Sequence, residues 1–547
     1  MASLLYRCSC SLCAGKTLFG DEVPAAGSDP LGAPPPQPVI QFPYTGDYRI
    51  DSLVLGVGTS TGIDALQYRW NKFAPLGTPV TVTYSFMSSK PVYGGTDTGQ
   101  GDIGFVPFTE AEKTAVRHIM GILQSQLGIT MLEKSDLSFD YGQIRFGNNF
   151  QQFSAGYTWL PFSTNDDRGG DVWIDQSIAA TSAPIVPGSF AWATLVHEIG
   201  HALGLKHPGN YNAGSPASPE LGNWLGVAED NANYSIMSYR SASGGQEREW
   251  FGMYDLLALK ALYGAGTPHA GDTIHAYDNN AGRVLKIIDD ATGFDTLDLS
   301  AVTRAAVVDL RPGGFSSVGF NGFAPATNNL SISLSTLIER FVGTALGDFL
   351  TGNAAGNLLF LGGGNNTADG GGGIDMALYE VQRAAYEVAV SGPVVRVIGP
   401  GVNDSLANVE RLAFADRKVA ADLGGAAGIT AKILGAVFGR ESIIQHPDYV
   451  GIGLSLLDSG MSYEALALVA LNASSTGLAA THAQIVELLY SNVVGIPPPP
   501  EELAFYQGWL DSGSVSEAQL GVFAAETPQN MMNIDWVGLS ARGIDYL

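Results

Sequence analysis

The sequence predicts three structural classes in succession: an α+β domain, an all-β parallel β-roll or sandwich, and a small all-α domain. Three patterns predict this order: mixed strand and helix periodicities, then a nine-residue glycine-rich repeat, then a helical pattern that occurs twice. A chain of 547 residues also exceeds what one hydrophobic core usually serves. We expect a flexible N-terminal extension or pro-segment at 1–43, then domains at 44–265, 266–425 and 426–547.

Composition excludes several classes of protein. The 28 Lys+Arg and 53 Asp+Glu give a net charge of −25, which argues against a nucleic-acid-binding surface. The same charge fits a protein that binds cations or stays soluble outside the cell. Because 45% of the chain is hydrophobic and 15% is charged, it is not wholly disordered. We expect no transmembrane segment, because no apolar run is long enough to span a membrane.

The three cysteines lie together at Cys8, Cys10 and Cys13. A fold without further cysteines cannot depend on disulfides. The first residues also lack the basic flank and long apolar core of a secretory signal peptide. Export would therefore require a different signal.

The first domain is predicted from local patterns. Val80, Val82, Tyr84 and Phe86 alternate with polar residues, as in a half-buried strand. Thr109 and Glu112 form a capping box at the start of a helix. Further strands are expected at Gln143–Phe146, Tyr157–Leu160 and Asp171–Ile174, and further helices at Phe190–Leu203 and Tyr254–Leu262.

The helix expected at Phe190–Leu203 and the residues after it carry the strongest chemical signal, His197-Glu198-Ile199-Gly200-His201-Ala202-Leu203-Gly204-Leu205-Lys206-His207. Residues four apart share a helix face, so His197 and His201 can bind one metal ion. Gly204 can adopt a positive φ and turn the chain so that His207 becomes the third ligand. Three neutral ligands leave Zn²⁺ an open position for water, and Glu198 is placed to take its proton.

The glycine-rich segment has a nine-residue period from Gly343 to Leu378. The sixth position holds Asp348, Asn357, Asn366 and Asp375, and the eighth holds Leu350, Leu359, Ala368 and Ala377. This pattern predicts a parallel β-roll that binds several Ca²⁺ ions: glycines allow tight turns, the sixth residue faces the ion, and the eighth is buried. The alternative is a flexible glycine-rich linker.

The C-terminal segment repeats a helical pattern. Leu-Asp-Ser-Gly occurs at 457–460 and again at 510–513, an offset of 53 residues, and Pro497–Pro500 lies between the halves. Two units are too few for a solenoid, so we expect a compact duplicated helical domain.

These motifs resemble a known family. The spacing His-Glu-x-x-His-x-x-Gly-x-x-His is that of the metzincin metalloproteases, and Ser235-Ile236-Met237-Ser238-Tyr239 resembles the Met-turn of the serralysin subfamily. The resemblance covers about residues 44–423 and implies a metzincin-like protease domain followed by a Ca²⁺-binding β-roll. It also implies that Met237 lies beneath the zinc, and that Tyr239 can bind zinc at rest and stabilise the oxyanion during catalysis.

The resemblance implies a secreted bacterial zinc endopeptidase. Glu198 would act as the general base, and protein or peptide substrates would lie along an edge strand at 156–161. Export would use a type I secretion apparatus without an N-terminal signal, with Asp545-Tyr546-Leu547 as a shortened C-terminal signal. We expect a monomer whose metals are one catalytic Zn²⁺ and several structural Ca²⁺ ions.

The sequence leaves alternatives open for the function of the chain and for the role of its cysteines. The chain could be a calcium-dependent surface-binding or adhesion protein in which proteolysis is minor or lost. The N-terminal thiols of Cys8, Cys10 and Cys13 could occupy the open zinc position and keep the enzyme latent. Alternatively, they belong to a tail in which they are incidental, and this simpler interpretation is favoured.

Overall fold

The computed structural model describes residues 7–9, 37–91, 104–152, 154–164, 167–179, 184–211 and 222–547. Within these residues the α-helices are α1 (Tyr48–Asp51), α2 (Glu110–Gln126), α3 (Gln176–Ala179), α4 (Phe190–Ala202), α5 (Met253–Tyr263), α6 (Ala426–Phe438), α7 (Ser442–Gln445), α8 (Pro447–Asp458), α9 (Tyr463–Ala473), α10 (His482–Val494), α11 (Pro500–Asp511), α12 (Glu517–Ala525), α13 (Pro528–Asn533) and α14 (Trp536–Arg542).

The strands among the same residues are β1 (Arg7–Ser9), β2 (Val80–Phe86), β3 (Ile129–Glu133), β4 (Ile144–Asn149), β5 (Gly156–Trp159), β6 (Val172–Asp175), β7 (Ile274–Asp278), β8 (Lys286–Ile288), β9 (Thr296–Ala301), β10 (Val307–Asp309), β11 (Phe315–Ser316), β12 (Phe320–Asn321), β13 (Ala324–Pro325), β14 (Leu330–Ile332), β15 (Arg340–Val342), β16 (Phe349–Thr351), β17 (Leu358–Phe360), β18 (Thr367–Asp369), β19 (Met376–Leu378), β20 (Glu387–Ser391), β21 (Val394–Gly399), β22 (Val402–Ala407), β23 (Arg411–Ala413), β24 (Lys418–Ala420) and β25 (Ile544–Tyr546).

The chain divides into two compact units. One comprises Met1–Asp295 and Pro312–Leu337, and the other comprises Thr296–Arg311 and Ile338–Leu547. Mixed strands and helices, then a strand-rich region, then helices follow one another along the chain, which confirms the predicted order of structural classes. The division into four segments stays a prediction.

A six-stranded sheet with the order β1-β5-β6-β4-β2-β3 organises the first unit. Strands β2, β3, β4 and β6 are parallel, whereas β5 runs antiparallel to β6. Helix α2 begins at the predicted capping box of Thr109 and Glu112, and its buried face includes Val116, Ile119 and Leu123. Buried side chains of the sheet, α2, α4 and α5 form one hydrophobic core, and α4 also packs against β5.

Parallel strands joined at regular spacing organise the glycine-rich part of the second unit. Phe341, Leu359 and Ala377 are successive Cα partners in β15, β17 and β19, 18 residues apart, while Leu350 and Ala368 pair in β16 and β18. Consecutive strands therefore alternate between two sheets, as in a parallel coil. The eighth-position side chains Leu350, Leu359, Ala368 and Ala377 are buried, as predicted.

The C-terminal helices follow the predicted duplication. Helices α8 and α11 begin at Pro447 and Pro500, 53 residues apart, and each is followed by another helix, α9 or α12. Buried residues of α6, α9, α10, α11 and α12 share one apolar cluster. In the described part of the chain, no helix combines the length and the apolar character that crossing a membrane requires.

Candidate active site

Helix α4 and the turn after it bring the three predicted histidines together. His197 and His201 lie on one face of α4, where the Nδ1 of His201 donates to the carbonyl oxygen of Leu205 at 2.7 Å. The helix ends before Gly204, whose φ of +99° is easily adopted only by glycine. The chain then reverses and places His207 against the other two rings, as the spacing predicted.

The three imidazoles have the geometry of a metal site. The Nε2 atom of His207 lies 3.3 Å from that of His197 and 3.2 Å from that of His201. Nitrogen ligands held about 2.0–2.1 Å from a tetrahedral zinc are about 3.3 Å apart, so the spacing fits this ion. In the described residues, these three buried side chains form the group of potential metal ligands whose atoms converge within 4.8 Å.

The protonation of the rings also suits a metal. A carbonyl oxygen can only accept, so Nδ1 of His197, 2.8 Å from the oxygen of Ile236, carries a proton and leaves the Nε2 lone pair free. Burial lowers the pKa of His197 to about 4 and that of His201 well below its usual range. Both rings therefore remain neutral, which is the state that ligates zinc.

Glu198 lies beside this centre with one carboxylate oxygen unpartnered. Its Oε2 accepts a hydrogen bond from the hydroxyl of Thr158 at 2.8 Å, whereas its buried Oε1 accepts none from the described residues. Burial raises the pKa of Glu198 to about 8, and the Thr158 hydroxyl opposes that rise. Gly156 leaves room for the carboxylate, because a Cβ there would lie 2.7 Å from Oε1.

The predicted Met-turn lies under the histidines. Met237 is fully buried, and a Cβ at Gly200 would lie 2.7 Å from its Sδ, so the glycine in the helix motif allows this close packing. Asp255 of α5 holds the turn by accepting hydrogen bonds from Ser235 Oγ at 2.6 Å and from the backbone N–H of Ile236 at 2.7 Å. The carbonyl of Ile236 in turn orients His197.

The ring of Tyr239 packs against His207 and Tyr211. Its ring centroid is 4.2 Å from that of His207 and 4.7 Å from that of Tyr211. Four further residues near the centre carry no motif in the sequence: Thr158, Tyr211, Asp230 and Asp255. No short-range spacing identifies these residues, because they reach the centre from other strands, loops and helices.

The cysteines are only partly described. Strand β1, which contains Cys8, pairs antiparallel with β5, with Cα partners Arg7–Trp159, Cys8–Thr158 and Ser9–Tyr157. Cys10 and Cys13 lie outside the described residues. The backbone of residues 7–9 therefore pairs with the strand that contains Thr158, the partner of Glu198.

The four predicted calcium-facing side chains are buried and form ladders between successive turns of the coil. Asn366 accepts a hydrogen bond from the backbone N–H of Asp348 at 2.9 Å, and Asp375 accepts one from that of Asn357 at 2.6 Å. Each acceptor lies 18 residues after its donor. The side chains thus satisfy backbone groups of the adjacent turn.

Asp375 differs from the other three positions. Its Oδ2 is buried and has no hydrogen-bond partner among the described residues, whereas both oxygens of Asp348 accept hydrogen bonds. Burial raises the pKa of Asp375 to about 7, and the nearby Glu410 adds to that rise. Gly371 and Gly373, both with positive φ, shape the turn before it. An orphaned buried carboxylate oxygen fits a calcium ion.

The chain is similar to known metalloproteases. Residues 256–390 match the family described as Peptidase M10 serralysin C terminal. The chain is 31% identical to a serralysin of Proteus mirabilis over 321 residues, which are 53% of this chain and 63% of the relative. Over these residues the chain is similar to serralysins.

Two further relatives match the chain with similar identity and coverage. A metallopeptidase AprA of Pseudomonas marginalis is 32% identical over 306 residues, covering 51% of this chain and 61% of the relative. Serralysin G of Dickeya chrysanthemi is 29% identical over 313 residues, covering 53% and 62%. The serralysin-like chain thus spans about six-tenths of the length of the curated relatives it matches.

Proposed function

We propose that this serralysin-like chain is a secreted zinc endopeptidase with a metzincin-like catalytic domain. The observation that carries the proposal is the convergence of three imidazole Nε2 atoms beside a buried carboxylate with one unpartnered oxygen. His197, His201 and His207 would hold the ion. Bound zinc would lower the pKa of a water molecule towards neutrality and polarise the scissile carbonyl.

The side chains around the centre supply the remaining chemistry. Glu198 takes a proton from the attacking water through its free Oε1 and returns it to the leaving amine. Thr158 keeps the other oxygen of Glu198 in place. Tyr239 stabilises the negative charge that develops on the substrate oxygen. Substrate pairs backbone to backbone with β5, the strand that also carries Thr158.

Casein hydrolysis tests the activity. The full-length chain is expected to hydrolyse casein, to stop when a chelator removes zinc, and to recover when zinc is restored. Metal content is measured in each sample. Hydrolysis by metal-free protein would contradict the zinc mechanism, and zinc-loaded protein without hydrolysis would favour the adhesion function.

We further propose that the N-terminal segment competes with substrate. Strand β1 pairs with the same edge of β5 that substrate would use, and Cys8 is the partner of Thr158. A peptide segment on this edge need not contribute a thiolate to obstruct it. This backbone competition adds a third possibility to latency through a thiolate and to incidental cysteines.

Removal of residues 1–36 is expected to increase kcat/KM for casein. If the segment covered the edge about nine-tenths of the time, its loss would lower KM about tenfold. A full-length variant with serine at positions 8, 10 and 13 is the control. If the deletion is activated and the serine variant is not, the segment competes through its backbone. If the serine variant is also activated, a thiolate inhibits the enzyme. If neither variant is activated, the segment does not inhibit.

We also propose that the glycine-rich coil is a β-roll that binds calcium outside the cell, with Asp375 as a ligand. A chain with such repeats would fold after export, where calcium is plentiful, which supports secretion by a type I apparatus.

A further inference from the structure

A cluster of polar groups lies directly behind Tyr239. The backbone N–H of Tyr239 donates to the hydroxyl oxygen of Tyr211 at 3.2 Å. That hydroxyl donates in turn to Oδ1 of Asp230 at 2.6 Å. One oxygen atom of Tyr211 therefore joins the backbone of Tyr239 to a carboxylate located elsewhere in the fold.

The carboxylate end of this chain of hydrogen bonds is rigidly held. Asp230 is only 3% exposed, and its Oδ1 also accepts from Ser238 Oγ at 2.8 Å. The Nε of Arg240 lies 3.2 Å from its Oδ2. Residues on both sides of Tyr239 are thus bound to the same carboxylate that orients Tyr211.

Ring packing adds a second constraint. The rings of Tyr211 and Tyr239 are stacked, with an interplanar angle of 25°, and the ring of Tyr211 also lies 5.9 Å from that of His207. Tyr239 therefore contacts His207 on one side and Tyr211 on another. A side chain with this packing has few rotamers available.

We propose that Tyr211 is a positioning residue for Tyr239. It holds both the backbone and the ring of Tyr239, and so determines where the Tyr239 hydroxyl lies when negative charge develops on the substrate. This inference rests on the proposed function, because it assigns Tyr239 to the oxyanion. It predicts that the Tyr211 hydroxyl acts only through Tyr239.

The test uses the full-length zinc-loaded chain with Tyr211→Phe, which keeps the ring and removes the hydroxyl. A hydrogen bond of ordinary strength corresponds to a change of about three- to tenfold. We expect kcat for casein peptides to fall by about this factor with KM nearly unchanged. Affinity for a phosphinic peptide, whose tetrahedral oxygens mimic the oxyanion, should fall by a similar factor in a binding assay without turnover.

Tyr48→Phe is the matched control. Tyr48 also donates from its hydroxyl to a half-buried carboxylate, at Glu229 Oε1 and 2.9 Å, and this hydrogen bond involves neither Tyr211 nor Tyr239. This variant should leave kcat and phosphinate affinity unchanged. Zinc content and the thermal midpoint are measured in both variants, so that a folding defect is recognised.

A double-mutant comparison decides the proposal. In a Tyr239→Phe background, Tyr211→Phe should have almost no further effect on kcat or on phosphinate affinity. Equal losses in both backgrounds would overturn the proposal, as would a change in KM alone. If Tyr211→Phe does not fold, Asp230→Asn is put through the same cycle, with the same expectation. A wild-type chain that does not hydrolyse casein refutes the proposed function instead. If the wild-type chain does hydrolyse casein but Tyr211→Phe binds the phosphinic peptide as tightly as wild type, only this inference is refuted.

Discussion

Glu198→Ala is expected to retain zinc and to lose nearly all turnover. General acid–base catalysis by a positioned side chain contributes about 10²- to 10⁴-fold, and kcat should fall by at least that range. The three histidines are unchanged in this variant, and the Nδ1 partners of His197 and His201 are backbone carbonyls rather than Glu198. Zinc content by atomic emission and kcat for casein peptides are measured on the same preparation.

Glu110→Ala is the control for loss of a carboxylate, because Glu110 lies at the exposed start of α2. It should keep full activity. Glu198→Gln should be nearly as inactive as Glu198→Ala, since an amide of similar shape cannot accept the proton. Substantial turnover by zinc-replete Glu198→Ala would remove Glu198 from the general-base role.

Removal of calcium is expected to open the coil at 343–378 in the full-length chain. Binding of an ion to the folded state alone stabilises it by about 2.7 kcal/mol per site when its concentration is 100 times Kd. Hydrogen exchange of the peptides that cover β16, β17, β18 and β19 should therefore accelerate when calcium is chelated. Exchange that is indifferent to the chelator would contradict calcium binding by the coil.

Asp375→Asn should raise the calcium concentration required for protection by about tenfold, because it removes the charge of the proposed ligand. Glu380→Gln removes a charge from an exposed side chain nearby and should leave that concentration unchanged. A shift of equal size in both variants would mean that Asp375 contributes only to the general negative charge.

The direction of the pH effect follows from Asp375. Burial raises its pKa in the folded chain to about 7 from an ordinary 3.8, so the folded state without calcium holds the proton more tightly than the unfolded state. The stability that this group contributes is complete below pH 3.8 and decreases as the pH rises towards 7. Calcium competes with the proton, so protection by calcium should be larger at pH 8 than at pH 5.

Much of the candidate site could be predicted from the sequence because its main elements are local. The spacing of His197, Glu198 and His201 follows from helix periodicity, and Gly204 marks the turn that brings His207 back. The coil could be predicted for a similar reason, since each nine-residue unit forms the same short strand and buries its eighth residue. The helical duplication is visible in the same way, as an offset within the chain.

Other features depended on contacts between distant parts of the chain. Thr158 approaches Glu198 from β5, and Asp255 approaches the Met-turn from α5, so neither is marked by a local motif. The pairing of β1 with β5 likewise requires an extended segment to meet a sheet edge more than a hundred residues away.

The sequence by itself determined the types of candidate ligand, their order and the repeat length, because helix and strand periods set these over a few residues. Only the tertiary structure decided which carboxylate oxygens are left without a partner, at Glu198 and Asp375, and which are already satisfied, at Asp348. It alone also joined Tyr211 and Asp230 to Tyr239. The physical reason is that burial and hydrogen bonding depend on every neighbour in space, and most of those neighbours are far apart in the chain.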